Sequence, residues 1–397
     1  MSNLALDLKI EGDFIDSFIY SGVLYLLDSE FTFTSYSWNS LCDFILKRNG
    51  FKFSDARCIL DYSKDNRKTN ASNNYIDTYI SEKEINSLRT DMIEIKTWPS
   101  DINIFSNKLY FSGDDGVFFI NTNHKTALFD KNKIKKIFGM KSFAISPNTN
   151  NRIALAVGNE GVFTSTLKHQ DKFPTEVQVS NKSCIDIDWI NESLFINSDN
   201  LSIESFCKIA SKNNAESNEI FLKIRDEFKK NENIDDNKLN NKSYREYINF
   251  ILNKKPETLK LNDIYKYGWS SGDSNFILNK NNNIIAQNKI SGNKVEISTS
   301  EITQSLIKLR TSGCGTVMES NIGELFITSG NGVDRISDDF VSWRVYPRAK
   351  NHANHLHIIN DENINIKIFN KKESIFNTFL SVTNEDDYKY DINNLIG

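Results

Sequence analysis

The chain has 397 residues, and 48 Lys+Arg against 52 Asp+Glu leave a formal charge of −4. That near-balance excludes a dominant basic surface for nucleic acid, while leaving room for a local patch. Five prolines and seventeen glycines exclude a low-complexity linker protein, and no apolar run approaches the ~20 residues a bilayer-spanning helix needs.

The five cysteines (Cys42, Cys58, Cys184, Cys207, Cys314) are scattered and never form a Cys-x-x-Cys pair. They give neither a zinc framework nor a disulfide scaffold, and free buried thiols are expected. The first residues show no basic stretch leading into an apolar one, so no signal peptide is expected and the cytoplasm is the expected compartment.

In chain order, apolar positions through 14–27 predict two strands around a turn. Phe31 and Phe33 then alternate with Thr32 and Thr34, and Tyr36 and Trp38 continue that strand or begin a third. Residues 51–62 read as a strand pair and 64–74 as an Asn-rich loop. Ser81 as N-cap, Glu84 three residues later and apolar Ile85, Leu88 and Met92 predict a helix over 81–92. Strand returns at 93–98.

The most informative stretch is 109–120, Leu-Tyr-Phe-Ser-Gly-Asp-Asp-Gly-Val-Phe-Phe-Ile, because variants recur at 155–163 and 325–333. Each pairs two apolar runs about a polar turn ending in Gly116, Gly161 or Gly332. Gly and Asn/Asp tolerate the positive φ of such turns, so hairpins are predicted at 113–116, 158–161 and 329–332. Gly116 and Gly161 lie 45 positions apart, near the length of a propeller blade.

Short strands follow with that rhythm: 102–105, 109–111, 117–120 and 126–129 as one set, then 137–138, 143–145, 153–157 and 162–165. A further set covers 177–179, 184–187, 194–197 and 201–206. Residues 211–261 break the rhythm. Ile220, Ile224 and Phe228 fall at helical spacing, as do Tyr244, Tyr247, Ile248 and Ile251, predicting a two-helix insertion between blades. Strands resume over 264–298, 306–346 and 355–380, and the tail 381–397 is expected to close or cap the last blade.

The segment Phe143-Ala-Ile-Ser-Pro-Asn148 resembles the strand, Ser-Pro and polar turn common in WD40-like propeller repeats. The Gly-His and Trp-Asp dipeptides of true WD40 repeats are absent, so the resemblance names the broad superfamily and no narrower family. It implies one all-β domain over 1–397, a closed β-propeller. At 40–45 residues per blade, the roughly 345 residues outside the insertion make seven blades, with six and eight as alternatives. Closure leaves no long unpaired edge, and N-terminal strands are expected to complete the last sheet.

Chemistry-bearing clusters are few. His352, His355 and His357 are weak metal candidates, since two of them share a strand face but no carboxylate or thiol is placed beside them by spacing. No metal and no cofactor is expected. Arg335, Trp343, Arg344 and Arg348 form the one basic-aromatic stretch, able to line a groove or, with Trp343 and Val345 alternating inward, to belong to a blade. Ser112-Gly-Asp114-Asp-Gly116 resembles a degenerate Asp-box, a structural turn. Gly313-Cys314-Gly315 has no neighbouring base that would activate a thiol. No catalytic residue is assigned.

The expected function is therefore a non-catalytic interaction module that binds a protein partner through its loops and the helical insertion, with Ile220, Ile224, Phe228, Tyr244, Tyr247, Ile248 and Ile251 as contact residues. Nucleic acid and membrane are not expected partners. The alternative is a ligand-binding or hydrolytic propeller with a polar site at the channel mouth, for which carboxylates, His or Arg from several blades would have to converge there.

Overall fold

A computed structural model describes residues 4–50, 75–131, 134–148, 152–166, 175–190, 192–206, 218–231, 236–252, 254–259, 261, 263–272, 274–288, 292–329, 332–349 and 351–369. The described strands form seven sheets in chain order, one per blade of a propeller, antiparallel throughout except for one parallel edge pair. The innermost strands, from blade 1 to blade 7, are Phe14–Tyr20, Asp101–Phe105, Ala144–Asn148, Asp186–Ile190, Tyr265–Ser271, Leu306–Ser312 and Ser342–Val345. Each touches the innermost strand of the next blade, and the last touches the first, so the ring is closed.

Closure uses both ends of the described chain. Blade 7 takes its fourth strand, Leu4–Glu11, from the N-terminal end, paired antiparallel with Asn363–Phe369. Ile76–Ile80 then pairs parallel with the outer side of Leu4–Glu11 as a fifth strand. The expectation that N-terminal residues complete the last sheet holds.

Sequence alternation is weak in this fold because middle strands are covered on both faces by neighbouring blades. Arg152–Ala156 and His355–Ile359 are buried at every position. Among the innermost strands, Asp101–Phe105 and Ser342–Val345 alternate between buried and half-buried positions, whereas Ala144–Asn148 and Asp186–Ile190 are buried after their first residue. Trp38, Trp189 and Trp269 are wholly buried, and each such large side chain contributes about 2 kcal/mol or more by leaving water.

The recurring glycines have a common cause. Gly116 and Gly161 both have positive φ, and a Cβ on either would strike a carbonyl of its blade's outer strand, that of Phe138 or Ser180. The tight second-to-third-strand turn thus leaves room for glycine alone. The third recurrence differs. Gly332 lies in the hairpin between the third and fourth strands of blade 6, on the other side of the ring.

Several expectations are corrected in detail. The set 137–165 straddles two sheets: Lys135–Phe138 is an outer strand of blade 2, while Thr175–Ser180 closes blade 3. Outer and next innermost strands are both short apolar runs, so spacing alone does not mark where one sheet ends. Trp38 opens a helix, α1 (Trp38–Arg48), capped by the Ser37 side chain, which buries Trp38, Leu41, Cys42, Ile45 and Leu46. The predicted helix at 81–92 forms its capping box but spans only α2 (Glu82–Ser87). Arg89–Glu94 is instead drawn into blade 1 by pairing with Thr32–Ser37.

The helical insertion is present as α3 (Glu219–Asn231) and α4 (Asp236–Leu252). It leaves the ring inside blade 4, after Ser202–Ser205 and before the outer strand Glu257–Leu259. The predicted strands at 51–62 and 375–380, and the tail 381–397, lie outside the described residues.

Candidate interaction surface at the channel mouth

The starts of the innermost strands share one rim of the ring, because each sheet is an up-and-down meander and neighbouring inner strands lie level. Ile145 N–H donates to Asp101 at 2.6 Å, Trp189 N–H to Ser146 at 2.9 Å, and Ser270 N–H to Asp188 at 2.6 Å. Turns between second and third strands lie on the same rim, as when Asn321 N–H donates to Ser305 carbonyl at 2.8 Å. The helical insertion leaves from the opposite rim.

Channel-facing positions near this upper rim carry Asp16, Asp101, Asp186 and Asp188 from blades 1, 2 and 4, and Lys308, Arg310 and Arg344 from blades 6 and 7. Arg344 Nη2 lies 2.6 Å from Asp16 and 3.9 Å from Asp101, so it spans from blade 7 across blade 1 to blade 2. Arg310 Nη2 lies 2.7 Å from Asp186 across blade 5, and the Tyr267 hydroxyl donates to the same carboxylate. Asn197 completes this group with bonds to Asp186 at 2.9 Å and to both backbone groups of Gly268.

Burial and charge set the titration of these groups. Burial lifts the Asp101 carboxyl to about 6, against the pull of Arg344. Burial also pushes Asp186 up, but Arg310 and Tyr267 outweigh it and hold the carboxyl below its ordinary range. Lys308 is lowered, first by burial and then by the Arg310 charge. Its ammonium lies 5.0 Å from the Trp343 ring centre. Among the described residues none offers Lys308 a carboxylate at ion-pair distance.

Around this charged mouth stands a collar of exposed apolar side chains. Phe143, Ile185, Ile264 and Val341 lie one or two residues before innermost strands, and Ile307 is the second residue of one. Ile322 joins them from the second turn of blade 6, and Trp98 from the junction of blades 1 and 2. Ile185 is 63% exposed and Ile322 62%, and these two stand beyond the ends of their strands.

The basic-aromatic stretch is dispersed by the fold. Trp343 is buried against blade 6, its Nε1 donating to Glu319 at 2.7 Å, while Arg344 faces the channel. Arg348 reaches across the lower end to the carbonyls of Pro147 and Trp189, 5.4 Å from the Phe105 ring centre. Burial lowers its guanidinium to about 10. Arg335 is remote, paired with Glu324 and Asp338 on the outside of blade 6.

The three histidines do come together, buried at the seam of blades 7 and 1. His352 and His355 ring centres are 4.9 Å apart, and those of His355 and His357 6.0 Å. His357 Nδ1 is bonded to the Ser17 hydroxyl at 2.7 Å and the Tyr346 hydroxyl at 2.9 Å, and His355 packs on Trp38. Among the described residues no group of His, Cys, Asp or Glu is arranged to hold a metal.

In the insertion, Ile220, Ile224, Tyr244, Tyr247, Ile248 and Ile251 pack together with Phe221 between α3 and α4, in a cluster that among the described residues contains none from a blade. Phe228 lies 4.7 Å from the Lys242 ammonium at the edge of that pair.

Sequence reading missed the channel ring, whose members are spread from Asp16 to Arg344. One signal was available: Asp101-Ile102-Asn103 and Asp186-Ile187-Asp188 stand at the same point of two blades, each just past a rim residue.

No family model matches the chain, and no curated protein matches it. Solved structures similar in fold include a chain of a mitotic checkpoint complex, at 9% identity and a TM-score of 0.45 over 92% of this chain and 87% of that one. Another is BamB from Moraxella catarrhalis, at 9% identity and a TM-score of 0.38 over 88% and 82%. A third is Chaetomium thermophilum Raptor, at 10% identity and a TM-score of 0.48 over 92% of this chain but 28% of that one. No helix among the described residues is long and apolar enough to cross a membrane. By its own strand order and ring closure, the chain is a seven-bladed β-propeller.

Proposed function

We propose that the chain is a non-catalytic protein-interaction scaffold that holds a protein partner on the loops of its upper rim and presents the helical insertion at the other. The observation that carries this reading is the apolar collar. Exposed large apolar side chains recur at successive blade junctions on one rim, where a rigid ring can offer them together. The insertion's apolar stripe is spent between its own helices, so a partner there would meet the outer faces, including exposed Phe250.

A second reading, a polar ligand site in the channel, draws support from the convergence of carboxylates and guanidinium groups from five blades. Against it, Asp101 and Asp188 accept backbone N–H groups of the next blade, and Asp16 and Asp186 hold arginines. Their hydrogen-bonding capacity is largely used in joining blades.

The test is affinity purification of the full chain from its own cells with quantitative mass spectrometry, beside an Ile185→Asp, Val341→Asp variant. A stoichiometric protein partner lost in the variant is the expected result. Recovery of no protein partner would reject the scaffold reading.

A further inference from the structure

We propose that the upper rim at blades 6 and 7 docks a basic segment of a protein partner, in which Lys or Arg flanks large apolar side chains. This rests on the scaffold reading, and names the partner's chemistry and the sector of the rim that takes it.

The apolar part is built by blade 6 and its junction with blade 7. Ile307 is the unpaired residue of a bulge, because Leu306 faces Ser320 while Lys308 faces Glu319. A bulge re-aims the side chain of its extra residue. Ile322 stands on the next turn, which the Asn321 N–H ties to the Ser305 carbonyl at 2.8 Å. Val341 lies in the following linker, its N–H on the Ile359 carbonyl at 2.7 Å. All three are at least half exposed.

The charged part has one sign. The turns and linkers of this sector, 321–324, 338–341, 360–362 and 12–13, contain no Lys or Arg. They carry exposed Asp338, Asp339, Asp361, Glu362 and Asp13. The Ile359 bond sets Val341 beside the Asp361–Glu362 turn, and Gly12 N–H donates to the Glu362 carbonyl at 3.0 Å, adding Asp13 to the arc. Arg335 reaches this arc but is held between Glu324 at 3.0 Å and Asp338 at 2.7 Å. Among the described residues Asp13, Asp339, Asp361 and Glu362 have no ion-pair partner. The channel below does not offset them. Asp16, Asp101, Asp186 and Asp188 outnumber Lys308, Arg310 and Arg344 there, and Asp186 and Glu319 already act on Lys308.

An arc of carboxylates around apolar side chains selects the occupant. Its field draws in a cationic partner before contact. Water-exposed ion pairs then flank a desolvated apolar centre, the usual anatomy of an interface. The phosphates of a nucleic acid or an anionic lipid surface are repelled by the same arc. A second copy of the chain fails too, since its own rim would bring the same charge.

The experiment selects random peptides displayed on phage against the full chain and measures the enriched ones by fluorescence anisotropy. Enriched sequences are expected to carry Lys or Arg beside Leu, Ile or Phe, and to bind more weakly as salt rises. Asp339→Asn with Asp361→Asn should weaken them severalfold, and Ile322→Ser should do the same. Thermal melts check that these surface variants fold. Asp339→Lys with Asp361→Lys should weaken them about tenfold or more. Peptides with Glu in place of Lys or Arg should regain affinity on that variant alone, an exchange that a disturbed fold does not produce.

Enriched peptides without cations, or cationic peptides bound equally by the charge-reversed variant or by Ile322→Ser, would overturn docking at this sector and leave the scaffold reading standing. Failure to enrich any peptide, while affinity purification recovers a protein partner, would do the same. No enriched peptide and no recovered protein would overturn both.

Discussion

The Asp186–Arg310 pair joins blade 4 to blade 6 past the intervening blade, and both side chains are at least three-quarters shielded. Asp186→Asn leaves the guanidinium in place without its anion, and should cost about 3 kcal/mol in urea unfolding. Asp186→Asn with Arg310→Met should cost less than the single change, because no orphaned charge remains. Equal losses would mean the pair contributes little beyond its shape. The histidines supply the pH dependence. Burial presses His352 to about 3, and burial with neighbouring charge presses His355 and His357 well below the ordinary range. In the unfolded chain each imidazole takes a proton near pH 6.5. Stability is therefore fully present above that value and falls as pH drops through it toward 3. Asp101 acts in the opposite sense, its carboxyl lifted to about 6 favouring the fold as pH falls. Three imidazoles outweigh one carboxyl. Urea unfolding at pH 7 and pH 5 should show a net loss, up to about 1.4 kcal/mol per pH unit for each imidazole. His355→Phe should flatten the slope, and a wild-type stability independent of pH would rule the mechanism out. The clustering of these residues was readable from their spacing. Their burial was not, because alternation marks one wet face and a middle strand of a blade has none.

At the scale of elements, turn chemistry was the most legible feature. Gly116 and Gly161 marked two real hairpins, and their equivalence is physical: both admit an outer-strand carbonyl where a side chain would stand. Gly161→Ala should cost roughly 1–3 kcal/mol through positive φ and that contact. Gly332→Ala, with open space at its Cβ, should cost far less, and a melting comparison of the two variants checks the distinction. Helical periodicity was equally legible at 219–252, but period alone does not say what a stripe packs against. Here it packs on its twin. Ile224→Asp with Ile248→Asp should remove helical circular dichroism while the propeller's thermal transition barely moves. Replacing residues 218–254 with a Gly-Ser linker should do the same. A large fall in the propeller transition in either variant would show that the hairpin supports blade 4.

At the scale of the whole molecule, blade length gave the ring and its count, whereas the assignment of strands to sheets needed three-dimensional neighbours. The channel charges were illegible for the same reason. Partners such as Asp16 and Arg344 sit at opposite ends of the sequence and meet only once the ring shuts. Deleting residues 4–11 removes the latch strand, whose Leu6, Leu8 and Ile10 are wholly buried. The truncated chain should lose its cooperative melting transition, and a synthetic peptide of residues 4–11 present during refolding should restore it. An unchanged transition would mean blade 7 is stable with three strands.

That latch has a consequence for biosynthesis. Leu8 leaves the ribosome long before its antiparallel partner Ile366, which stands 358 positions further along the chain. At about 5–20 residues per second the wait is roughly 20–70 s, during which an apolar strand edge is open to other nascent chains. Ile76–Ile80 emerges early and pairs with the same strand on its other side. The fifth strand of blade 7 is thereby placed to cover one edge of Leu4–Glu11 before the partner of the other edge has been made.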